Sequence, residues 1–294
     1  MKKKGTKKKI TKKAALYILA AVLLMILLIL FSYRLISNGK RLSNKDILAV
    51  LENFPYESII DGKDKYALDL TNDQILYVGY LGLNKDQITT KETTEECIDK
   101  YDEVSARCEA KELGLSEEQS NDLDTNLWKN IINYSSYSMF SQDSFKDVIK
   151  NKLDLDVKFV ESFYKGLTLS ECGVLPIIYD KNVDVFFSTE GLGCTLGTHH
   201  STYITHGYVN ADIYEIYLVE GKFNLNQNNE NGYFSLVSRS NPDKKLMDNI
   251  NYNDLNNDYE KELLRKYSDN LDHYKLTFKK VGDNYQFLNV DYLG

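Results

Sequence analysis

Cysteine and histidine crowd one short stretch of this chain, Gly191 to Gly207, where Cys194 is followed by His199, His200 and His206. A thiol becomes a nucleophile when a base within hydrogen-bond reach takes its proton. The spacing of five or six residues from Cys194 to His199 or His200 could close such a pair across a glycine-rich turn. That would be thiol-hydrolase chemistry. Two features oppose it: cysteine hydrolases generally draw their histidine from a distant segment and set the cysteine at a helix start, and nothing after Cys194 forecasts a helix. The competing reading is a structural cysteine beside polar strand histidines.

The same histidines invite a metal. If Thr198 to His206 is extended, His200 and His206 face one side but lie about 20 Å apart, so one zinc ion cannot take both. His199 or His200 would each need a distant ligand, and His273 falls on the wet face of its strand. Asp248 to Glu260 has the oxygen-rich look of a calcium loop but lacks the mid-loop glycine that makes the tight turn, and Asp61 to Asp69 is weaker still. There is no glycine loop for phosphate and no Gly-x-Ser-x-Gly elbow. The sequence therefore assigns no metal, no cofactor and no catalytic group beyond the weak candidates Cys194, His199 and His200.

Four cysteines, Cys97, Cys108, Cys172 and Cys194, fit disulfides with three possible connectivities. Residues 94 to 112 look like one helix, along which Cys97 and Cys108 would stand about 16 Å apart, so bridging them requires a broken helix. Val174 to Tyr179 and Val183 to Phe187 look like a hairpin whose ends carry Cys172 and Cys194. That pair is favoured, against the alternative of four free buried thiols.

The elements that must position these residues change character along the chain. The first part, about 43–150, is helical. Ser43 can cap a helix bearing Ile47, Leu48, Leu51 and Phe54, and Thr93 with Glu96 and Ser116 with Gln119 have capping-box spacing. Phe145, Val148 and Ile149 mark a further short helix, and Gly79 and Gly82 argue against a long helix over Leu68 to Leu83. The second part, about 151–294, is β-rich, with strands at Val174 to Tyr179, Val183 to Ser188, Ile213 to Val219, Tyr233 to Val237, His273 to Lys279 and Tyr285 to Tyr292. A helix over Leu255 to Tyr267 interrupts them. Tyr274, Leu276 and Phe278 alternate with polar residues, while the apolar parity of the last strand switches between Phe287 and Leu288, which predicts a bulge or burial on both faces. Helices first and then a mostly antiparallel sheet is an α+β domain.

Upstream of all this stands Ala14 to Tyr33, twenty residues with no charge, proline or glycine. As a helix they cover about 30 Å, the thickness of the hydrocarbon core, so residues 14–36 read as a transmembrane anchor. Lys2, Lys3, Lys4, Lys7, Lys8, Lys9, Lys12 and Lys13 precede it, which places the 1–13 tail in the cytoplasm and residues 37–294 outside. The run is too long, and its end too bulky, for a cleaved signal peptide. It has no ionisable residue for transport and no glycine pair for close helix pairing, so it is a passive tether.

The chain holds 36 basic and 43 acidic residues, but nine of the basic ones lie in the first 36 positions, leaving the external part at 27 against 43, or −16. An acidic domain argues against nucleic acid as its ligand. Six residues, Ser37 to Leu42, reach at most about 20 Å, so the domain sits close to the bilayer. Frequent tyrosine, 22 in all, with many Lys, Asn and Ile, suggests an AT-rich bacterial genome. The expectation is a single-pass, membrane-anchored extracytoplasmic protein: a non-enzymatic binding or assembly module of the bacterial envelope, whose partners are the bilayer and an unknown envelope protein or ligand. The alternative is an envelope thiol hydrolase.

Overall fold

The computed structural model of the protein describes residues 39–98, 102–130, 136–168, 174–189, 197–226 and 232–294. The expected anchor at 14–36, the lysine-rich residues 1–13, Cys172 and Cys194 lie outside them. Among the described residues no helix is long and apolar enough to cross a membrane.

The helices are α1 (Asn44–Leu51), α2 (Tyr56–Ile59), α3 (Asn72–Leu81), α4 (Glu95–Ile98), α5 (Asp102–Glu112), α6 (Glu117–Asp122), α7 (Thr125–Trp128), α8 (Gln142–Leu153) and α9 (Asn257–Lys266). Their starts follow local chemistry. Ser43 and Asp46 form a reciprocal box at α1, Thr71 and Gln74 at α3, and Ser116 and Gln119 at α6, each side chain satisfying a backbone donor of the other. Asn256 caps α9 by accepting from the Asp258 and Tyr259 amides. No long helix spans Leu68 to Leu83: helix α3 has ten residues and ends before Gly82, yet it runs through Gly79, and the reason is steric. A Cβ at Gly79 would sit 2.7 Å from Phe145 Cζ, so the glycine lets α3 press against α8 rather than breaking the helix.

The strands are β1 (Lys40–Arg41), β2 (Lys65–Tyr66), β3 (Thr89–Glu92), β4 (Ser136–Ser141), β5 (Phe163–Thr168), β6 (Val174–Asp180), β7 (Val185–Thr189), β8 (His199–Asn210), β9 (Ile213–Asn226), β10 (Tyr233–Val237), β11 (Lys245–Asn251), β12 (Asp272–Val281) and β13 (Asn284–Tyr292). They make two antiparallel sheets. The larger runs β1-β8-β9-β12-β13-β2, with β10 and β11 branching from β9; the smaller runs β3-β4-β7-β6-β5. The protein is α+β, but strands and helices interleave: β3 and β4 come from the stretch before residue 150 and pair into the smaller sheet. The parity switch in β13 is a bulge. Thr277 faces Asn289 and Phe278 faces Phe287, so Leu288 is the extra residue, and Phe287 and Val290 both reach the core.

Three apolar clusters order the layers. The main core joins α1, α3 and α8 with the inner faces of both sheets through Phe145, Phe186, Leu218, Leu276 and Phe287. The second seats α5, α6 and α7 on the other face of the smaller sheet, around Trp128 and Phe187. The third seats α9 on the other face of the larger sheet, around Phe223, Phe234 and Leu264.

The expected helix over 94–112 is corrected. It is divided into α4 and α5, and Cys97 and Cys108 are bridged across the division with Cα atoms 5.6 Å apart. Within α5, Val104 is exposed, and Ala106, Glu109 and Ala110 are buried. The favoured Cys172–Cys194 pair lies outside the described residues.

Candidate functional site

The histidines are placed by β8, and they diverge. His199 and His200 are consecutive in a strand, so their rings leave on opposite faces. The expectation that His200 and His206 share a side is corrected. Ile204 faces Leu218 while His206 faces Tyr217, so Thr205 is a bulge that inverts the parity between the two histidines. His206 stacks on Tyr217 at 4.5 Å, and burial, then the Arg41 charge, lowers its pKa.

His199 lies under α9. Its Nδ1 is 2.9 Å from the Gly197 carbonyl oxygen and its Nε2 is 3.0 Å from Glu260 Oε1. Both ring nitrogens are thus engaged, one by a backbone carbonyl and the other by a carboxylate. A ring held this way has both nitrogens turned to partners other than a thiol. Cys194, its supposed nucleophile, lies outside the described residues. Glu260 belongs to the supposed calcium loop, two of whose other side chains are also spent locally: Asp248 on Lys245 and Asn256 on the α9 cap. Among the described residues no cluster of three or more His, Cys, Asp or Glu could hold a metal ion. His273, expected on a wet face, is half-buried with Nε2 2.9 Å from the Ser268 carbonyl.

His200 joins a polar cluster that sequence reasoning missed. Strand β9 is forked: β12 pairs with it from Ile213 to Glu220 and β10 from Lys222 to Asn226, with Gly221 at the split. Two acids, each 1% exposed, fill the crotch. Glu220 accepts from His200 Nδ1 at 2.8 Å, from Arg239 Nη2 at 2.6 Å and Nε at 3.0 Å, and from the Tyr274 hydroxyl at 2.9 Å. Burial works against its charge, yet the hydrogen bonds from His200 and Arg239 outweigh it and hold the carboxyl below its ordinary value. Asp272 accepts from Ser238 Oγ at 2.6 Å, the Ser240 amide at 3.2 Å and the Tyr292 hydroxyl at 2.8 Å. Against the same burial, these bonds lower its pKa too. Carboxylates so fully satisfied are clasps on the fork rather than groups open to a substrate. The available signal was an acid at a core parity, Glu220 after Ile216 and Leu218.

The open feature of this region is the outer edge of β8. Strand β1 covers only Tyr208 and Val209, and the Leu42 amide reaches Gly207. From His206 back to Ser201 no strand pairs on that side among the described residues. The edge is the floor of a groove of ≈ 480 Å³, walled by α1 and α2 (Ile47, Leu48, Tyr56, Glu57) on one side and by α9 (Asn257, Lys261) on the other. Thr202 on the floor donates to Glu57 Oε1 at 2.7 Å. Leu48, expected in the core stripe of α1, is 65% exposed and lines this groove. Three segments about 150 and 55 residues apart in sequence meet here, which is why no local motif announced it.

Set beside known proteins, the chain matches no protein family, no curated protein and no solved structure.

Proposed function

We propose that this protein is a single-pass membrane-tethered module whose outward domain binds another envelope protein through the groove beside β8. The observation that carries the reading is that groove: an uncovered sheet edge set between helices, with an exposed leucine on its wall and a volume in the range of binding clefts. The apolar span Ala14 to Tyr33, with eight lysines before it, supports the tether and the outward orientation. Its role as a binder rather than a hydrolase is supported by His199, whose two nitrogens are already engaged by the Gly197 carbonyl and Glu260.

Photo-crosslinking in intact cells tests this. A photoreactive residue in place of Leu48 is expected to give a discrete adduct, whereas one in place of Leu68, which is 82% exposed beside β2 on the opposite edge of the sheet, is not. Equal yields at both positions, or none at Leu48, would contradict the proposal.

A further inference from the structure

The uncovered edge of β8 has the composition of a strand that invites pairing. Native proteins blunt such edges with lysine, proline or a covering segment. Ser201-Thr202-Tyr203-Ile204-Thr205 carries no charge, proline or glycine, and Thr, Tyr and Ile all favour strands. What shields it is its recess between α1–α2 and α9. A second copy would bring the same two walls and could not lower its own edge between them. A single extended chain, needing only about 4.8 Å beside β8, can.

The walls then specify that chain. Successive side chains of an added strand point to opposite faces, one set toward α1–α2 and the other toward α9. The first set meets Leu48, Ile47 and Tyr56; the second meets Asn257 and Lys261, one turn apart on α9. Lys261 makes no ion pair with a described residue, while Glu57 on the opposite wall already holds the Thr202 hydroxyl.

We infer that the groove accepts an extended segment of a partner protein as an added strand on β8, with apolar side chains against Leu48 alternating with acidic side chains facing Lys261. This deepens the binding-module proposal and rests on it. Backbone pairing with β8 supplies affinity and the two walls supply selectivity.

The test uses the full chain in lipid nanodiscs and a labelled, acetylated nonapeptide of alternating valine and glutamate, followed by fluorescence anisotropy. The peptide is expected to bind in the micromolar range. N-methylation of alternate residues should weaken binding at least tenfold in one parity and leave it unchanged in the other, because only one edge of an added strand pairs. Replacing glutamate by lysine should weaken it to a similar degree, and Lys261→Glu, on an exposed position, should reverse that preference. Absence of binding, or indifference to both N-methylation patterns, overturns the inference. An adduct at Leu48 in cells together with such indifference would retain the groove as a binding site and remove strand addition alone. Loss of the adduct as well would remove both.

Discussion

Glu220 and Glu109 are both buried acids, and the structure treats them oppositely. Glu220 is surrounded by donors, so Glu220→Gln leaves Arg239 facing a neutral amide and is expected to cost about 3 kcal/mol in urea denaturation. Glu215→Gln, where the ion pair with Lys275 is part-exposed at 3.4 Å, should cost less than about 1 kcal/mol. Because the folded pKa values of Glu220 and Asp272 are depressed, the stability they confer is complete above the ordinary carboxylate range and is lost as pH falls through their lowered values. Glu109, 2% exposed with Oε1 lacking a hydrogen-bond partner, is pushed up to about 7, first by burial and then by Glu112. Its contribution runs the other way: it is greatest at and below the unfolded value and declines as pH rises to about 7. Glu109→Gln is therefore expected to stabilise by about 2 kcal/mol at pH 8 and to be nearly neutral at pH 4. Denaturant midpoints across pH check both signs, and a stabilising Glu109→Gln at pH 4 would contradict the assignment.

At the scale of elements, the periodic segments were legible in the sequence. The Tyr274-Leu276-Phe278 alternation, the bulge after Phe287, strand β10 and helices α8 and α9 follow from spacing alone. Elements governed by a distant neighbour were not. Gly79 signals a helix breaker locally and becomes a helix contact only when Phe145 is opposite. The bulge at Thr205 comes from the register of β8 on β9, so the parity of His200 and His206 could not be taken from their separation. The candidate site was legible only in part: His199 and His200 were singled out, but their partners Glu260, Glu220 and Arg239 lie 61, 20 and 39 residues away. Two substitutions probe this scale. Gly79→Ala forces α3 and α8 apart and should cost about 1 to 3 kcal/mol. Ala211, at φ 55 in the turn between β8 and β9, sits where an L residue is strained, so Ala211→Gly should raise stability by about 0.5 to 1 kcal/mol. Calorimetry on both variants distinguishes these opposite signs.

At the scale of the whole molecule, five layers alternate, with helices outside, two sheets, and α1, α3 and α8 between them. Among the described residues the larger sheet leaves other edges open too, since β2 covers only Asn289 and Val290 of β13; the β8 edge differs in being recessed between helices. On the proposed reading the domain is held within about 20 Å of the bilayer by the six residues before Ser43. The most direct measurement is the labelling rate of single added cysteines by a membrane-impermeant maleimide, in intact cells and on the purified full chain. The account predicts that Leu68→Cys labels quickly in both settings, and that Leu48→Cys labels quickly when purified but slowly in cells, where the groove is filled. Leu68→Cys labelling only after permeabilisation would contradict the outward orientation. Leu48→Cys reacting as fast in cells as in the purified chain would contradict the binding groove.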